Sequence, residues 1–345
     1  MRLQQRGLSA GVIEVMMGAR AQSTSKLYAQ KWSVFVDWCV ERRIDPGSCA
    51  VEPVLEFLRS LFDKNRAAST IRVYAAAISA CHEGFPKGPV FSHPYVKRFL
   101  KGCVRLRPVV RTVVPSWDLQ LVLRALCRSP FEPVAQIPLK VLSMKTALLL
   151  ALASAKRVGD LCALSVADSC LSIAGDASMA TLRPNPTFVP KVVTSAYRSR
   201  VITLDGFSLP PHASEEERLH CLCPVRALAC YVERTKGVRR SKQLLVCYGQ
   251  GALGRALSSQ RLSHWLCECI ALAYESAGGV APEGLRAHST RGIAASTALL
   301  RGVCVQDICT AASWSTPSTF VQAYLRDTSA GSLSRSVLSV ASGHV

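Results

Sequence analysis

Apolar residues recur at three- and four-residue steps along most of this 345-residue chain, the period of helices with one buried face. From Ser23 the segment STSKLYAQKWSVFVDWCVERR sets Leu27, Trp32, Phe35, Val36 and Cys39 at such steps behind a Ser/Thr cap, and Pro46-Gly47 ends it. Further helices are predicted through VEPVLEFLRSLFDK, TIRVYAAAISACHEGF and, after the break FPKGPVFSHP, PYVKRFLKGCVRLRP. Together they predict a compact helical unit over 23–107, preceded by an extension over 1–22. Its outer faces carry Lys26, Lys31, Arg72, Lys97, Arg98 and Lys101, candidates for contact with a polyanion. Arg105, Arg107 and Arg111 alternate with Pro and Val, which reads as an extended basic stretch, with a linker over 108–115.

The remainder, 116–345, predicts a second domain. Helices run through WDLQLVLRALC and the strongly apolar LKVLSMKTALLLALASA. The period then shortens towards two in SVADSCLSIAGD, ATLRPNPTFVPKV and SRVITLDGF, three short strands of which the last two read as a hairpin. Helical periodicity returns from Cys223-Pro224 in PVRALACYVERTKG, QRLSHWLCECIALAYESAG, STRGIAASTALLRG, VQDICTAASW and STFVQAYLRD. The fold class is mainly α, with one small antiparallel sheet in the second domain. Length agrees with two domains, since single cores rarely grow beyond ~250 residues.

Charge narrows the function. The net charge is +19 and the sequence pI about 9.6, an excess that needs a polyanionic partner or heavy solvation, and nucleic acid is the commonest such partner. The basic residues are dispersed, which favours folded basic faces over a disordered arm. Fifteen cysteines, an odd number scattered through apolar runs, suit free thiols in a reducing compartment rather than a disulfide framework. The N-terminal stretch lacks a secretory core, and the longest apolar run, TALLLALASA, is too short to cross a bilayer. A nuclear or cytosolic location is expected, although Arg239-Arg240 is too thin to be an import cluster.

The chemistry lies in an ordered set. His288-Ser-Thr-Arg291 puts an imidazole and a guanidinium at i and i+3, on one helical face. Trp314 offers an N–H donor and Tyr324, ten positions on, a phenol. Upstream, ALASAKRVGDLCAL provides Arg157, with Asp160 one turn on to orient it. Two arginines fit a phosphate because their planar forks bind its oxygens in pairs and stay charged. Tyr324, with an ordinary pKa near ~10, needs such charges before it can attack phosphorus. His288 can exchange a proton near neutral pH. Lys191, in the hairpin connection, is placed to protonate a leaving oxygen. His220-Cys221-x-Cys223 and Cys267-x-Cys269 lack the paired spacing of zinc modules. There is no Gly-rich nucleotide loop and no acidic triad for magnesium, so no metal, cofactor or nucleotide is expected.

These segments, with LRPNPTFVPKVV, CPVRALACYVERT and AHSTRGIAAS, resemble the tyrosine recombinase (phage-integrase-like) family, and among its branches the recombinases of DIRS-like retrotransposons. The early STSKLYAQKWSVFVDWC resembles that family's helical, SAM-like core-binding domain. The resemblance implies that Tyr324 forms a 3′-phosphotyrosyl link and frees a 5′-hydroxyl. Arg157 and Arg291 hold the scissile phosphate, His288 transfers a proton, and Trp314 stands where many members have a second histidine. Lys191 acts as general acid. The bond energy is kept in the covalent link, so no ATP is needed. The partner is double-stranded DNA, bound by a tetramer, and the role is integration or excision of a mobile element. The sequence departs from the family with Ser-Ala-Lys before Arg157 in place of Thr-Gly-x, Asp160 for a frequent Glu, and Arg326 for a frequent His. The alternative is a domesticated DNA-binding protein that keeps the fold without cleaving.

Overall fold

A computed structural model describes residues 7–108, 117–190, 201–207, 212 and 215–325. The chain divides into two compact units, Met1–Thr112 and Val113–Val345. The predicted linker lies outside the described residues except for Pro108.

The first unit is helical. Helix α1 (Ala10–Gly18), capped by the Ser9 hydroxyl, falls in the predicted extension and was not foreseen. Helices α2 (Gln22–Val40), α3 (Val51–Asp63), α4 (Ala68–Cys81) and α5 (Pro94–Leu106) follow. Their apolar stripes meet around Phe35, Phe57, Leu58, Ile71 and Ile78, with the Phe35 and Phe57 rings edge-on at 5.0 Å. Leu27, expected on the buried face of α2, is 41% exposed. Arg105 and Arg107 correct the expected extended stretch. Arg105 lies in the last turn of α5, and Arg107 caps that helix. The Arg107 guanidinium sits 3.7 Å from the Phe62 ring centre and donates to the Phe62 carbonyl at 2.6 Å, satisfying an acceptor in the last turn of α3.

The second unit is built around α7 (Leu139–Ser154), which is buried on almost every side. The preceding α6 (Leu119–Ala125) is capped by Asp118. The short α8 (Val158–Cys162) leads to strands β1 (Leu171–Ile173), β2 (Met179–Leu182) and β3 (Ile202–Asp205). They form one antiparallel sheet in the order β1-β2-β3. Leu182 pairs with Ile202 and Ala180 with Leu204, so these four side chains share the core face. Helix α9 (Glu215–Leu222) buries none of its residues, which is why no apolar period announced it. Helices α10 (Pro224–Thr235), α11 (Ser259–Ser276) and α12 (His288–Leu300) pack on α7. Two short helices, α13 (Val305–Ala312) and α14 (Pro317–Ala323), complete the described chain. Among the described residues no helix is long and apolar enough to cross a membrane.

One ionic network sits inside this unit. The fully buried Lys145 on α7 donates to the carbonyls of Leu126, at 2.8 Å, and Phe131, at 3.3 Å, and to the Glu132 carboxylate. Arg226 of α10 forks onto both oxygens of Glu132, at 2.8 and 3.0 Å. Burial alone would raise the Glu132 pKa, but hydrogen bonds and charge from Arg226 and Lys145 hold it below its ordinary value. Stability from Glu132 is therefore present above the ordinary carboxylate pKa and lost as pH falls through the lowered folded value. Glu132→Gln leaves the Lys145 charge uncompensated and is expected to cost about 3–5 kcal/mol in chemical denaturation at neutral pH. The loss should shrink as the pH is lowered towards acid unfolding.

Candidate active site

The site is assembled by helix ends. Helix α7 stops at Ala155, whose φ of 48° and ψ of 26° are left-handed, a conformation usually left to glycine. The Ala155 methyl earns that cost of about 1–2 kcal/mol by packing. It joins a small second core with Ala295, Ile308, Cys309, Ala312, Trp314 and Phe320, on which Tyr324 also packs. The chain leaves this turn through Lys156 and Arg157, and Arg157 then becomes the N-cap residue of α8 with Asp160 in its first turn.

His288 opens α12 and is exposed, while Arg291 one turn later is 1% exposed. The turn between them is pinned from beneath. The buried Trp117 indole donates to the Ser289 hydroxyl at 3.0 Å, and Ser289 and Thr290 donate to the carbonyls of Arg286 and Ala287. Helix α13 ends at a second left-handed residue, Ser313 (φ 54°, ψ 47°), which turns the chain into Trp314. The Trp314 amide donates back to the Cys309 carbonyl at 2.8 Å. Trp314 is 7% exposed and stacks on Phe320 at 5.3 Å, so packing fixes the indole. Tyr324 closes α14 by donating its amide to the Phe320 carbonyl at 2.9 Å.

These turns bring four of the predicted side chains together. The Tyr324 ring centre lies 4.6 Å from the Trp314 ring and 5.1 Å from the His288 ring. The Arg291 guanidinium lies 4.5 Å from the Trp314 ring centre and 5.1 Å from that of Tyr324. Arg291 donates one Nη2 bond to the Ala312 carbonyl. Its Nε and Nη1, and the Trp314 indole nitrogen, are buried with no hydrogen-bond partner among the described residues. Burial, then the charge of Arg157, pushes the Arg291 pKa down to about 10, against the opposing pull of Tyr324 and Asp160. Arg291 is thus still a cation at neutral pH, with Arg157 and Asp160 close enough to act on it. Buried donors without acceptors are costly, and an incoming oxyanion is the group that would satisfy guanidinium and indole together.

Lys191 lies outside the described residues, as does Arg326. In the first unit Lys26, Arg72, Lys97, Arg98 and Lys101 are exposed. Lys31 is half-buried, 4.6 Å above the Tyr74 ring and bonded to its hydroxyl at 3.4 Å, and Arg72 lies 5.5 Å from the Phe91 ring centre. Among the described residues no three His, Cys, Asp or Glu side chains are arranged to hold a metal ion. Sequence reasoning passed over Ser289, Trp117 and Ser313. The Ser and Thr inside the His-Ser-Thr-Arg turn were the available signal.

No protein-family model matches the chain, and no curated protein matches it in sequence. Solved structures do match in fold. The Tn1549 transposon integrase in complex with transposon right-end DNA is 12% identical, with 88% of this chain and 95% of that chain aligned and a TM-score of 0.52. XerH site-specific recombinase on its palindromic substrate is 12% identical over 79% of this chain and 67% of that one, with a TM-score of 0.49. A lambda integrase tetramer bound to a Holliday junction is 14% identical over 91% and 75%, with a TM-score of 0.48. At such identities the likeness is one of fold: this mainly helical chain with its small antiparallel sheet shares its fold with the Tn1549 transposon integrase.

Proposed function

We propose that this chain cleaves and rejoins DNA strands through a phosphotyrosyl intermediate at Tyr324. The observation that carries the reading is the meeting of a phenol, an imidazole, an indole N–H and a buried guanidinium with two free donors. In the proposed reaction Arg291 and Arg157 hold the non-bridging oxygens of one phosphodiester and balance the charge gained in the five-coordinate transition state. Trp314 donates a further hydrogen bond. The Tyr324 oxygen bonds to phosphorus as its proton leaves, and His288 stands beside it for that transfer. The bond to the 5′ oxygen breaks, and that oxygen leaves as a hydroxyl, its proton supplied by Lys191. Rejoining is the reverse, with a 5′-hydroxyl from the same or another duplex as the attacking group, so no external energy source is consumed.

The integrase fold supports the same reading, and DNA-bound neighbours of that fold, one of them a tetramer, fit a basic chain that assembles on duplex DNA. Action for a mobile element of the DIRS-like kind, within the nucleus, rests on the sequence resemblance. Labelled duplexes mixed with the protein and run on a denaturing gel test the chemistry. The wild type should leave a covalent protein–DNA band that Tyr324→Phe abolishes while still shifting DNA on a native gel. An equal band from Tyr324→Phe would remove Tyr324 from the role. Binding with no band from either protein would point to the non-cleaving DNA-binding protein.

The buried cation sets a second expectation. Arg291→Met removes an incompletely bonded charge from an apolar setting, so its thermal midpoint should equal or exceed that of the wild type while covalent trapping disappears. Inorganic phosphate should raise the wild-type midpoint and leave that of Arg291→Met where it was.

A further inference from the structure

A hydrogen bond joins the two turns that carry the phosphate-holding groups. Lys156 is 8% exposed, and its ammonium donates to the Ser313 hydroxyl at 2.6 Å, across 157 positions of sequence. Lys156 sits between the left-handed Ala155 and Arg157. Ser313 is itself left-handed and directly precedes Trp314. Each turn stores local strain, since neither Ala nor Ser has glycine's freedom at positive φ. A strained turn keeps its geometry only when its surroundings over-determine it. The Ala155 methyl and the Trp314 indole already share the small second core. The Lys156–Ser313 bond adds a polar tie at the same place. It lies on the wall of a cleft that also contains Asp160, Pro184 and Phe188, the last two from the connection leading to Lys191.

We infer that Lys156 is a positioning residue, which locks the Arg157 turn to the Ser313–Trp314 turn so that both donors meet one phosphate. The inference rests on the function proposed above. An ammonium suits the task because its stem is long and flexible and its donors rotate to meet a hydroxyl. Arg157 and Arg291 repel each other, a cost that an oxyanion held between them would relieve. Lys156 acts through its neighbours and needs no contact with DNA.

The test compares Lys156→Met, Lys156→Arg, Ser313→Ala and the Met/Ala double variant in single-turnover formation of the Tyr324–DNA link at saturating DNA. Lys156→Met and Ser313→Ala should each slow the link about tenfold or more, with less than a twofold change in the DNA concentration for half-saturation. The double variant should be no slower than the slower single variant, because both remove one bond. Lys156→Arg should recover most of the rate. A duplex with sulfur at the bridging 5′ position, whose thiolate leaves without a proton, should be slowed equally. Unchanged rates, multiplying losses, or restoration by the sulfur substrate would each overturn the assignment, the last by making Lys156 a proton donor. A wild type that forms no link would defeat the proposed function and leave the tie to amide exchange. There Lys156→Met should speed exchange of the Trp314 amide while the amides in the middle of α7 keep their protection, and unchanged Trp314 exchange would overturn the inference.

Discussion

A guanidinium kept charged while nearly all its surface is buried is the constraint on which this molecule turns. Arg291 is enclosed by the rings of Trp314 and Tyr324, accepts the repulsion of Arg157, and among the described residues retains a single bond, to a backbone carbonyl. Folding alone would not favour this arrangement. It holds because the first turn of α12 is fixed from below by Trp117 and Ser289, and because α7, on which α12 packs, belongs to a large core with its own hydrogen-bonded ion network. The stability of the second unit is what allows one unfavourable group to stay poised.

The two cores divide the labour. The large core fixes α7, α10, α11 and the sheet. The small one gathers Ala155, Trp314 and Phe320, with Tyr324 packed on it, and so sets the distance between the turn before Arg157 and the phenol. The proposed nucleophile therefore sits on a modest apolar cluster at the end of the described chain, attached to a rigid body by its aromatic neighbours. Such clusters open at lower free energy than the cores they adjoin.

Much of this could be read from sequence, for physical reasons that differ between elements. Helices with an apolar stripe, such as α3 and α5, announce themselves by period. Helix α9 begins Glu-Glu-Glu and buries none of its residues, so it had no period to show. His288 and Arg291 were placed on one face by spacing alone. The closeness of Trp314 to Tyr324 was not so accessible, because an unwound turn and a proline stand between them. Arg107 read as part of an extended stretch because nothing local reveals that its side chain finds Phe62, 45 positions away. The left-handed caps at Ala155 and Ser313 were invisible because neither is glycine, the residue by which such turns are recognised.

The alanine at 155 has a consequence for how such a chain drifts over time. Glycine there would relax the backbone but leave a methyl-sized void in the small core that Trp314 shares, whereas a larger side chain would meet both the backbone strain and that packed cluster. The residues allowed at 155 therefore depend on the volumes of the others in that core, and theirs on 155. Among descendants of this sequence position 155 should change together with that core: a glycine at 155 when a neighbour grows to fill the gap, an alanine while the cluster keeps its volume.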